Sequence, residues 1–347
     1  MFIGLPKEIK NQEHRVALTP SQVKKLVDDG HCVAVGYGAG SDAGYSDVDY
    51  ASAGAHVVSN DIVWNHELIV KVKEPLPEEH IKRDQIIFSY LHLAANQPLT
   101  TRLVEQNATA IAFETILDED GRTPVLDPMS VIAGDLAAYK AAEFLQFHNQ
   151  GKGILMRDAH VVVLGCGTAG EAAGQIAAGM GAKVTFVEIA ERLQYAKGIA
   201  MWMNNNAHEA IESTPENIQE VIKTADAVIG CVHIPGAPTS RLVTEDMVKY
   251  DIKKGSVLID VAIDQGGCFE TSYPTSHTNP TFVKHDVVHY CVPNMPGIVP
   301  VSASESIAHH IWPYLLKIID DPLSVPSGVN VHAGEIVHPA VAKAHSL

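Results

Sequence analysis

The chain has 347 residues, 46% of them hydrophobic and 19% charged, which suits two globular domains with buried cores and excludes a disordered chain. Its formal net charge of −16 argues against nucleic acid and anionic membranes as partners, because both attract cationic surface. Apolar stretches fall short of the ~20 residues that span a bilayer, and Pro6 interrupts the N-terminus before a signal-peptide core. The five scattered cysteines contain no C-x-x-C pair, so we expect a cytoplasmic protein without a metal site.

Short strands alternate with helices in the first third of the chain. Thr19-Pro20-Ser21-Gln22 is a capping box with proline at the first helical position, and Gly30 closes the helix that it opens. The other elements predicted here are strands at Cys32–Val35, Leu68–Val72, Gln85–Tyr90 and Thr109–Phe113, and a helix from Pro98 to Glu105. This alternation is typical of an α/β unit.

A second α/β unit is predicted after a long helix from about Ser130 to His148. Its predicted strands are Val161–Leu164, Lys183–Glu188, Ala227–Val232, Ser256–Ala262 and Val287–Val292. A final helix from Ser304 to Ile319 carries an inward apolar stripe formed by Ile307, Ile311, Leu315 and Ile318. Ligands of mostly parallel sheets bind at the carboxyl ends of the strands, so the residues that follow these strands are the candidates for a site.

The most informative motif is a glycine-rich turn between a β-branched strand and a helix, Gly165-Cys166-Gly167-Thr168-Ala169-Gly170. Gly165 permits the tight turn, Gly167 lets the backbone approach a pyrophosphate, and Gly170 lets helix and strand pack closely. Glu188 ends the next strand 18 residues after Gly170, where a ribose-binding carboxylate is expected. The motif predicts dinucleotide binding, and the acid favours NAD, although a nearby arginine leaves tolerance of NADP open.

Cationic side chains lie before the capped helix and at the end of an early strand. Arg15 offers a planar fork that matches two carboxylate oxygens, although an ion pair at the surface would also explain it. Lys71 and Lys73 are predicted on one face of a strand, with Lys73 at its carboxyl end. Solvated lysines on an edge strand are the alternative explanation.

Three further polar residues follow predicted strands. His92 stands in an apolar run, where a histidine suits proton transfer in a cleft but is also an ordinary core residue. Asp264 and Asn294 are placed near a nicotinamide by the strand pattern, or they are simple turn residues. With the cations they suit hydride transfer at a carbon that bears an amine or hydroxyl group next to a carboxylate.

Long ordered segments of the chain closely resemble the alanine dehydrogenase family, which is related to domain I of proton-translocating transhydrogenase. The segments that carry the resemblance are residues 4–10, 15–20, 71–75, 90–95, 127–130, 260–268, 294–297 and 328–342. They cover nearly the whole chain. The family fold implies two Rossmann-like α/β domains, with an NAD-binding domain at 128–299 inserted between the two parts, 1–127 and 300–347, of a discontinuous substrate domain.

The resemblance implies a reaction in which a small L-amino acid, most simply L-alanine, reacts reversibly with NAD and water to give pyruvate, ammonium and NADH. Arg15 and Lys73 would hold the substrate carboxylate and 2-oxo group, and His92 would exchange protons with water and the carbinolamine. Asp264 would polarise water or stabilise a charged intermediate, and Asn294 would contact the substrate. The implied NAD contacts are Ser130, Gly165, Gly167, Thr168, Ala169, Gly170, Glu188, Val232, Asp264 and Met295.

The family pattern also implies a homo-oligomer, with a hexamer favoured, and a small-molecule substrate as the partner. It assigns His332 to a turn and His338 to a tail segment, which makes both poor metal ligands. His233 and Pro293 depart from the pattern, so an amino acid other than alanine stays open as the substrate.

Two other functions stay open beside the dehydrogenase. One is a transhydrogenase-type nucleotide module without metabolite turnover, and the other is an idle protein that keeps NAD binding. A nucleotide module needs no proton carrier for an amine, and an idle protein would be expected to lose at least one of the four catalytic candidates. Since Arg15, Lys73, His92 and Asp264 are all present, the sequence favours the dehydrogenase.

Overall fold

The computed structural model describes residues 1–203, 208–232 and 241–345 of the chain. The chain divides into two compact units. Unit 1 comprises Met1–Met129 and Gly297–Leu347, and unit 2 comprises Ser130–Pro296. The chain therefore leaves unit 1, forms unit 2 and returns to complete unit 1.

Unit 1 is built on a sheet of eight described strands. They are β1 (Phe2–Leu5), β2 (Cys32–Gly36), β3 (His56–Val58), β4 (Leu68–Val70), β5 (Ile86–Ser89), β6 (Thr109–Ala112), β14 (Val329–His332) and β15 (Glu335–Ile336). Their order across the sheet is β15-β14-β6-β5-β4-β1-β2-β3, and β1 to β6 are parallel. The order reverses between β1 and β4, so the carboxyl ends of these two strands form the topological switch point at which ligands of such sheets bind.

Helices pack around this sheet. They are α1 (Pro20–Asp28), α2 (Asp47–Ser52), α3 (Asn60–Val63), α4 (Gln97–Glu105), α10 (Pro300–Asp320) and α11 (Pro339–Ala344). The predicted capping box is present at α1, where the Thr19 N–H donates to Gln22 Oε1 at 2.9 Å. The predicted stripe of α10 is buried, but this helix begins at Pro300 instead of Ser304, since proline suits a first helical turn that needs no N–H donor. Ser304 Oγ instead accepts the Val16 N–H at 2.9 Å and ties α10 to the N-terminal segment.

Unit 2 is built on a sheet of seven described strands. They are β7 (His160–Leu164), β8 (Lys183–Glu188), β9 (Glu209–Glu212), β10 (Ala227–Gly230), β11 (Val257–Asp260), β12 (Thr281–Lys284) and β13 (Val287–Tyr290). Their order is β12-β13-β11-β10-β7-β8-β9, and only β12 runs antiparallel to its neighbour among these strands. The order reverses between β7 and β10, which gives this sheet the same switch-point arrangement as the first.

The helices of unit 2 are α6 (Thr168–Gly179), α7 (Leu193–Trp202), α8 (Pro215–Ile222) and α9 (Glu245–Tyr250), and α5 (Asp127–Phe144) leads into the unit. Both sheets have apolar interiors, since Val161, Val162 and Val163 of β7 and Leu68 and Ile69 of β4 are fully buried. Parallel strands that are covered by helices on both faces require such continuous apolar runs. None of the described helices is both long and apolar enough to cross a bilayer.

The assignment of His332 to a turn was wrong. His332 is the last residue of β14, and its Nδ1 lies 3.1 Å from Thr109 Oγ1 of the neighbouring strand β6. The short sequence Val-Asn-Val-His alternates apolar and polar residues as a strand does, but only its pairing with β6 makes it one. His338 lies at the N-terminus of α11.

His289 is a fully buried imidazole on β13. Its Nε2 lies 2.7 Å from Thr271 Oγ1, its Nδ1 lies 2.9 Å from the Val287 carbonyl oxygen, and its ring stacks on Phe282 at a centroid distance of 4.7 Å. A neutral ring that donates through Nδ1 and accepts through Nε2 satisfies both nitrogens. Burial lowers the pKa of His289 to about 4, because a charged ring would lose its hydration.

We expect His289→Phe to make the folding of unit 2 less sensitive to acid. The unfolded chain binds a proton at His289 near pH ~6.5 but the folded protein does so only near 4, so stability falls as the pH drops through this range, by up to about 3 kcal/mol. Phenylalanine binds no proton, so the variant does not lose this stability. As the pH falls through this range, its unfolding free energy, measured in urea at a series of pH values, should rise relative to that of the wild type by about the same amount.

The comparison must be made as a difference between the two proteins. Burial raises the pKa of Asp260 to about 6, so the folded state binds this proton more readily and gains stability as the pH falls through the same range. In the wild type, the stability lost at His289 and the stability gained at Asp260 therefore partly cancel as the pH falls. Parallel stability curves for the variant and the wild type would contradict the role given to His289.

Candidate active site

The glycine-rich turn lies at the switch point of the unit 2 sheet, directly after β7. Gly165 has φ +86°, and its N–H donates to the Val187 carbonyl oxygen at 2.8 Å. A Cβ on Gly170 would collide with the carbonyl oxygen of Gly165, so this glycine is required for helix and strand to pack. A Cβ on Gly167 would meet no atom of the described residues within 4 Å.

Internal packing therefore does not explain Gly167, whereas a ligand placed against its backbone would. Helix α6 begins at Thr168 and points the positive end of its dipole at this opening. An open backbone at a helix N-terminus is the arrangement that receives a pyrophosphate. These residues fit the dinucleotide that the sequence predicts.

Glu188 is buried at the end of β8 and connects that strand to the turn. Its Oε2 accepts the Cys166 N–H at 2.7 Å, and its Oε1 accepts the Ile189 N–H at 2.8 Å. Each carboxylate oxygen has two lone-pair positions, so this geometry leaves capacity for ribose hydroxyl groups. Arg192, which left NADP open, donates from Nη2 to the Cys166 carbonyl oxygen at 3.2 Å and lies over the Tyr195 ring.

Two other candidates of unit 2 follow strands. Asp264 is exposed in a 3-10 turn after β11, and Asn294, four residues after the end of β13, has φ +59°. Asparagine often adopts a left-handed conformation in turns. The backbone of Asn294 therefore agrees with the alternative, left open by the sequence, that this residue only forms a turn. Met295 after it is buried, while Ser130 on α5 and Val232 after β10 are partly exposed.

Asp260 was missed at the sequence level although it shapes the loop that carries Asp264. It is fully buried at the end of β11, where its carboxylate accepts the Cys268 N–H at 3.0 Å and the Ser272 hydroxyl at 2.6 Å. A Cβ on Gly267 would approach Asp260 Oδ2 to 2.5 Å, so glycine is required where the loop crosses the carboxylate. The short sequence Asp-x-x-x-Asp-x-Gly-Gly offered this signal.

Arg15 is not a surface residue. Its side chain is only 2% exposed, its Nε donates to Glu13 Oε1 at 2.6 Å and its Nη2 donates to Glu13 Oε2 at 2.5 Å. Burial alone would lower the pKa of Arg15, but the adjacent Glu13 carboxylate outweighs it and raises the pKa. Nη1, on the other side of the guanidinium, lies 3.5 Å from Met129 Sδ. The alternative of a solvated ion pair is thereby excluded.

The two lysines after β4 have different environments. The strand ends at Val70, so the prediction that Lys71 and Lys73 share one strand face was wrong. β4 also lies between β1 and β5, which rules out an edge strand with solvated lysines. Lys71 is 1% exposed, with its Nζ 2.8 Å from Glu79 Oε2 and 3.3 Å from Glu8 Oε2. Its ammonium therefore neutralises two buried carboxylates.

Lys73 is partly exposed, and its ammonium has no ion-pair partner among the described residues. Its backbone N–H donates to Glu8 Oε1 at 3.2 Å, which fixes the chain at the end of the β4 segment. Burial lowers the pKa of Lys73, and the nearby cations Arg15 and Lys10 lower it further. The Glu13 and Glu74 carboxylates offset part of this effect, and a bound anion would relieve more of it.

His92 is exposed, which excludes the ordinary core histidine. Its backbone is left-handed, with φ +50° and ψ +38°, and its N–H donates to Glu114 Oε1 at 2.6 Å. The imidazole stacks on Tyr90 with a centroid distance of 6.1 Å and an interplanar angle of 8°. This backbone conformation costs an L-residue about 1–2 kcal/mol, so the surrounding contacts must hold it.

The structure thus brings Arg15, Lys73 and His92 to the carboxyl side of the unit 1 sheet. The carboxylates that hold them, Glu13, Glu8 and Glu114, were not identified from the sequence. Glu13 could have been found, since it lies two residues before Arg15, but Glu114 comes from the 3-10 turn after β6 and gives no local signal.

Comparison with known proteins identifies the family. The Alanine dehydrogenase/PNT N-terminal domain model matches residues 4–133, and the corresponding C-terminal domain model matches residues 137–339. The chain belongs to this family. It is 43% identical over 368 aligned residues to Alanine dehydrogenase 2 of Staphylococcus aureus strain N315, with 100% of the chain and 97% of that protein covered.

Solved structures agree. The fold matches an L-alanine dehydrogenase with a TM-score of 0.93 and 43% identity over 100% of this chain and 99% of that one. It also matches a transhydrogenase from Sinorhizobium meliloti with a TM-score of 0.84 and 26% identity, over 98% of this chain and 100% of that one. The predicted family and the predicted pair of Rossmann-like α/β domains are confirmed. As a family member the chain is an enzyme, an oxidoreductase with NAD as its cofactor.

Proposed function

We propose that the chain catalyses the reversible, NAD-dependent oxidative deamination of L-alanine to pyruvate and ammonium. The observation that carries this proposal is the presence of two cations, Arg15 and Lys73, on the carboxyl side of the unit 1 sheet, where Arg15 is near enough to lower the pKa of Lys73. Two such cations attract a carboxylate more strongly than any neutral ligand. The 43% identity to a protein named alanine dehydrogenase supports the choice of amino acid.

In this proposal Arg15 binds the substrate carboxylate through the Nη1 side of its guanidinium, while the Glu13 carboxylate holds the Nε and Nη2 atoms in place. Lys73 contacts the oxygen or nitrogen on the α-carbon. Its lowered pKa means that the ammonium is poorly solvated before substrate binds, so its attraction for an anionic or partly negative oxygen is strengthened.

His92 carries the protons. NAD, when bound, would supply the acceptor for the hydride that leaves the α-carbon. The α-ammonium gives up one proton to solvent at the same time, so that the substrate becomes an iminium ion. His92 then takes a proton from the water that adds to this carbon and returns it to the nitrogen of the carbinolamine. As the carbonyl forms, the hydroxyl proton passes to the departing nitrogen, which leaves as ammonium. Exposure of the ring allows it to exchange protons with solvent between these steps.

The proposal assigns NAD to unit 2. The groups that would hold it are Ser130, Gly165, Gly167, Thr168, Ala169, Gly170, Glu188, Val232, Asp264 and Met295. Asp264 would also stabilise positive charge on the substrate, and Asn294 would contact the substrate. Unit 1 would accordingly be the substrate domain and unit 2 the NAD-binding domain.

We further propose a cytoplasmic homo-oligomer, with a hexamer favoured. Large apolar side chains that are mostly exposed in the single chain support an assembly, among them Phe147, Met201 and Trp202. Light scattering of the purified protein would measure the subunit number.

We expect Glu188→Gln to relax discrimination against NADPH. The amide oxygen keeps an acceptor for the Cys166 N–H of the turn, while the bond from the Ile189 N–H and the negative charge that repels a 2′-phosphate are lost. Fluorescence titration should show the ratio of the NADPH to the NADH dissociation constant falling by roughly 10-fold or more. The exposed Glu191, replaced in the same way, should change the ratio less, because solvent screens its charge. An unchanged ratio in Glu188→Gln would remove the carboxylate from the ribose site.

A screen of L-amino acids with NAD, read by the absorbance of the reduced cofactor, tests the function directly. Turnover of alanine alone supports the proposal, and turnover of a different amino acid replaces the substrate. Hydride exchange between two nucleotides without amino acid turnover would establish the transhydrogenase-type module instead. Of the two departures from the family pattern, Pro293 is partly buried before Asn294, and His233 lies outside the described residues.

A further inference from the structure

Glu114 makes an unusual set of contacts with the segment that carries His92. Its Oε1 accepts the His92 N–H at 2.6 Å, and its two oxygens accept the Leu91 N–H at 3.3 and 3.2 Å. Two consecutive backbone donors thus converge on one carboxylate. The bonds come from a side chain about 22 residues away in sequence, so they are not part of a local turn motif.

The register of the sheet explains how this side chain arrives there. β5 and β6 are parallel, with Ser89 beside Ala112. Glu114 follows Ala112 by two residues in a 3-10 turn, and His92 follows Ser89 by three. The two segments leave the sheet side by side, and the carboxylate of one reaches the backbone of the other.

The backbone of His92 needs such a hold. At φ +50° an L-residue is strained, and the chain on either side would relax to a right-handed turn if the two N–H groups lost their acceptor. That change would reverse the direction of the imidazole and break its parallel stacking on Tyr90. Other titratable groups near Glu114 are the Tyr90 hydroxyl and the imidazole of His338.

We propose that Glu114 is a positioning residue for the proton carrier: its carboxylate holds Leu91 and His92 in the left-handed turn and so aims the imidazole at the substrate. This inference rests on the proposed function of His92. The positioning role requires an acceptor oxygen at position 114 and does not require a negative charge. A carboxylate that itself bound substrate, or moved a proton, would require the charge or the acid.

The test compares Glu114→Gln, which keeps an acceptor oxygen, with Glu114→Ala, which has none. We expect kcat for pyruvate amination to fall by about 10- to 100-fold in the alanine variant, with little change in the KM for pyruvate, and to stay within about 3-fold of wild type in the glutamine variant. Asp118→Ala is the matched control, since Asp118 Oδ1 accepts the N–H groups of Asp120 and Arg122 in an exposed turn of the same unit. A glutamine variant as slow as the alanine variant would overturn the proposal.

A double variant separates positioning from general damage. If Glu114 acts through His92, then adding Glu114→Ala to a His92→Ala protein should cost no further activity. An additional loss equal to that in the wild-type background would refute the proposal.

Hydrogen exchange supplies a readout that does not depend on turnover. The amides of Leu91 and His92 should exchange faster in Glu114→Ala than in the wild type, while Asp118→Ala leaves them unchanged. If the wild-type protein turns over no amino acid, the proposed function fails, but faster exchange would still establish the hold on the backbone. Unchanged exchange together with normal amino acid turnover would refute the positioning role alone.

Discussion

Lys73→Met is expected to lower kcat/KM for alanine and pyruvate by at least ~10²-fold while leaving the protein as stable as the wild type or more so. The ammonium of Lys73 makes no ion pair among the described residues. Burial lowers its pKa, Arg15 and Lys10 lower it further, and the Glu13 and Glu74 carboxylates offset only part of this. Removing the cation relieves that repulsion but deletes a group that binds the substrate. Steady-state kinetics and urea unfolding measure the two effects on the same preparation.

Lys71→Met provides the matched control two residues away and should give the opposite result. Lys71 lies between Glu8 and Glu79, and its loss leaves two buried carboxylates uncompensated, a cost of about 3–5 kcal/mol in unfolding free energy. Burial already raises the pKa of Glu8, and the variant should raise it further. The folded variant then binds protons more readily than the unfolded chain. Its loss of unfolding free energy relative to the wild type should therefore become smaller as the pH falls through the acid range.

The pair of variants discriminates between a functional and a structural lysine. If Lys73→Met were the destabilised protein, or if both variants lost activity in proportion to stability, the assignment of the substrate cation to Lys73 would be rejected. Binding of NADH, expected to be unchanged in Lys73→Met, shows that unit 2 is intact in the slow variant.

Much of the fold could be predicted from the sequence because its strands are continuous apolar runs and its helices carry strong boundary signals. The capping box at Thr19 and the stripe of α10 are present as predicted. The ends of strands were harder to predict. β4 ends at Val70, and the ammonium of the next residue, Lys71, pairs with Glu8 and Glu79, which lie outside the strand.

The site was predictable where its chemistry lies in one segment. The glycine-rich turn contains its own turn, packing and ligand-approach residues, and Gly165, Gly167 and Gly170 have the three different environments that those roles require. Lys73 and His92 were recognised by residue type and by resemblance to a family. Their burial and exposure were undetermined, because both depend on how neighbouring strands end.

Two of the supporting carboxylates could not be predicted. Glu8 and Glu114 reach the backbone of the Lys73 and His92 segments from elements that are distant in sequence, and only the register of the strands brings them there. A glutamate in a sequence has no pattern that distinguishes such a role from a solvated surface position. The positive φ of His92 was likewise hidden, since histidine adopts it rarely and only when tertiary contacts demand it.

His92→Ala is expected to reduce kcat by ~10²–10⁴-fold in both reaction directions, because water addition and ammonia release lose their proton carrier. The affinity for NADH should not change, and the free energy of unfolding should stay within about 0.5 kcal/mol of wild type, since the side chain is exposed. Stopped-flow and steady-state measurements of NADH consumption with pyruvate and ammonium determine the rate.

His92→Gly decides whether the imidazole or the turn is responsible. Glycine adopts φ +50° without strain, so this variant should be more stable than His92→Ala by up to about 1 kcal/mol, with the turn retained. If the ring carries the protons, the glycine and alanine variants should be equally slow despite their different stabilities. A glycine variant with near-normal turnover would mean that only the shape of this turn matters, and the proton carrier would have to be sought among the other polar groups of the site.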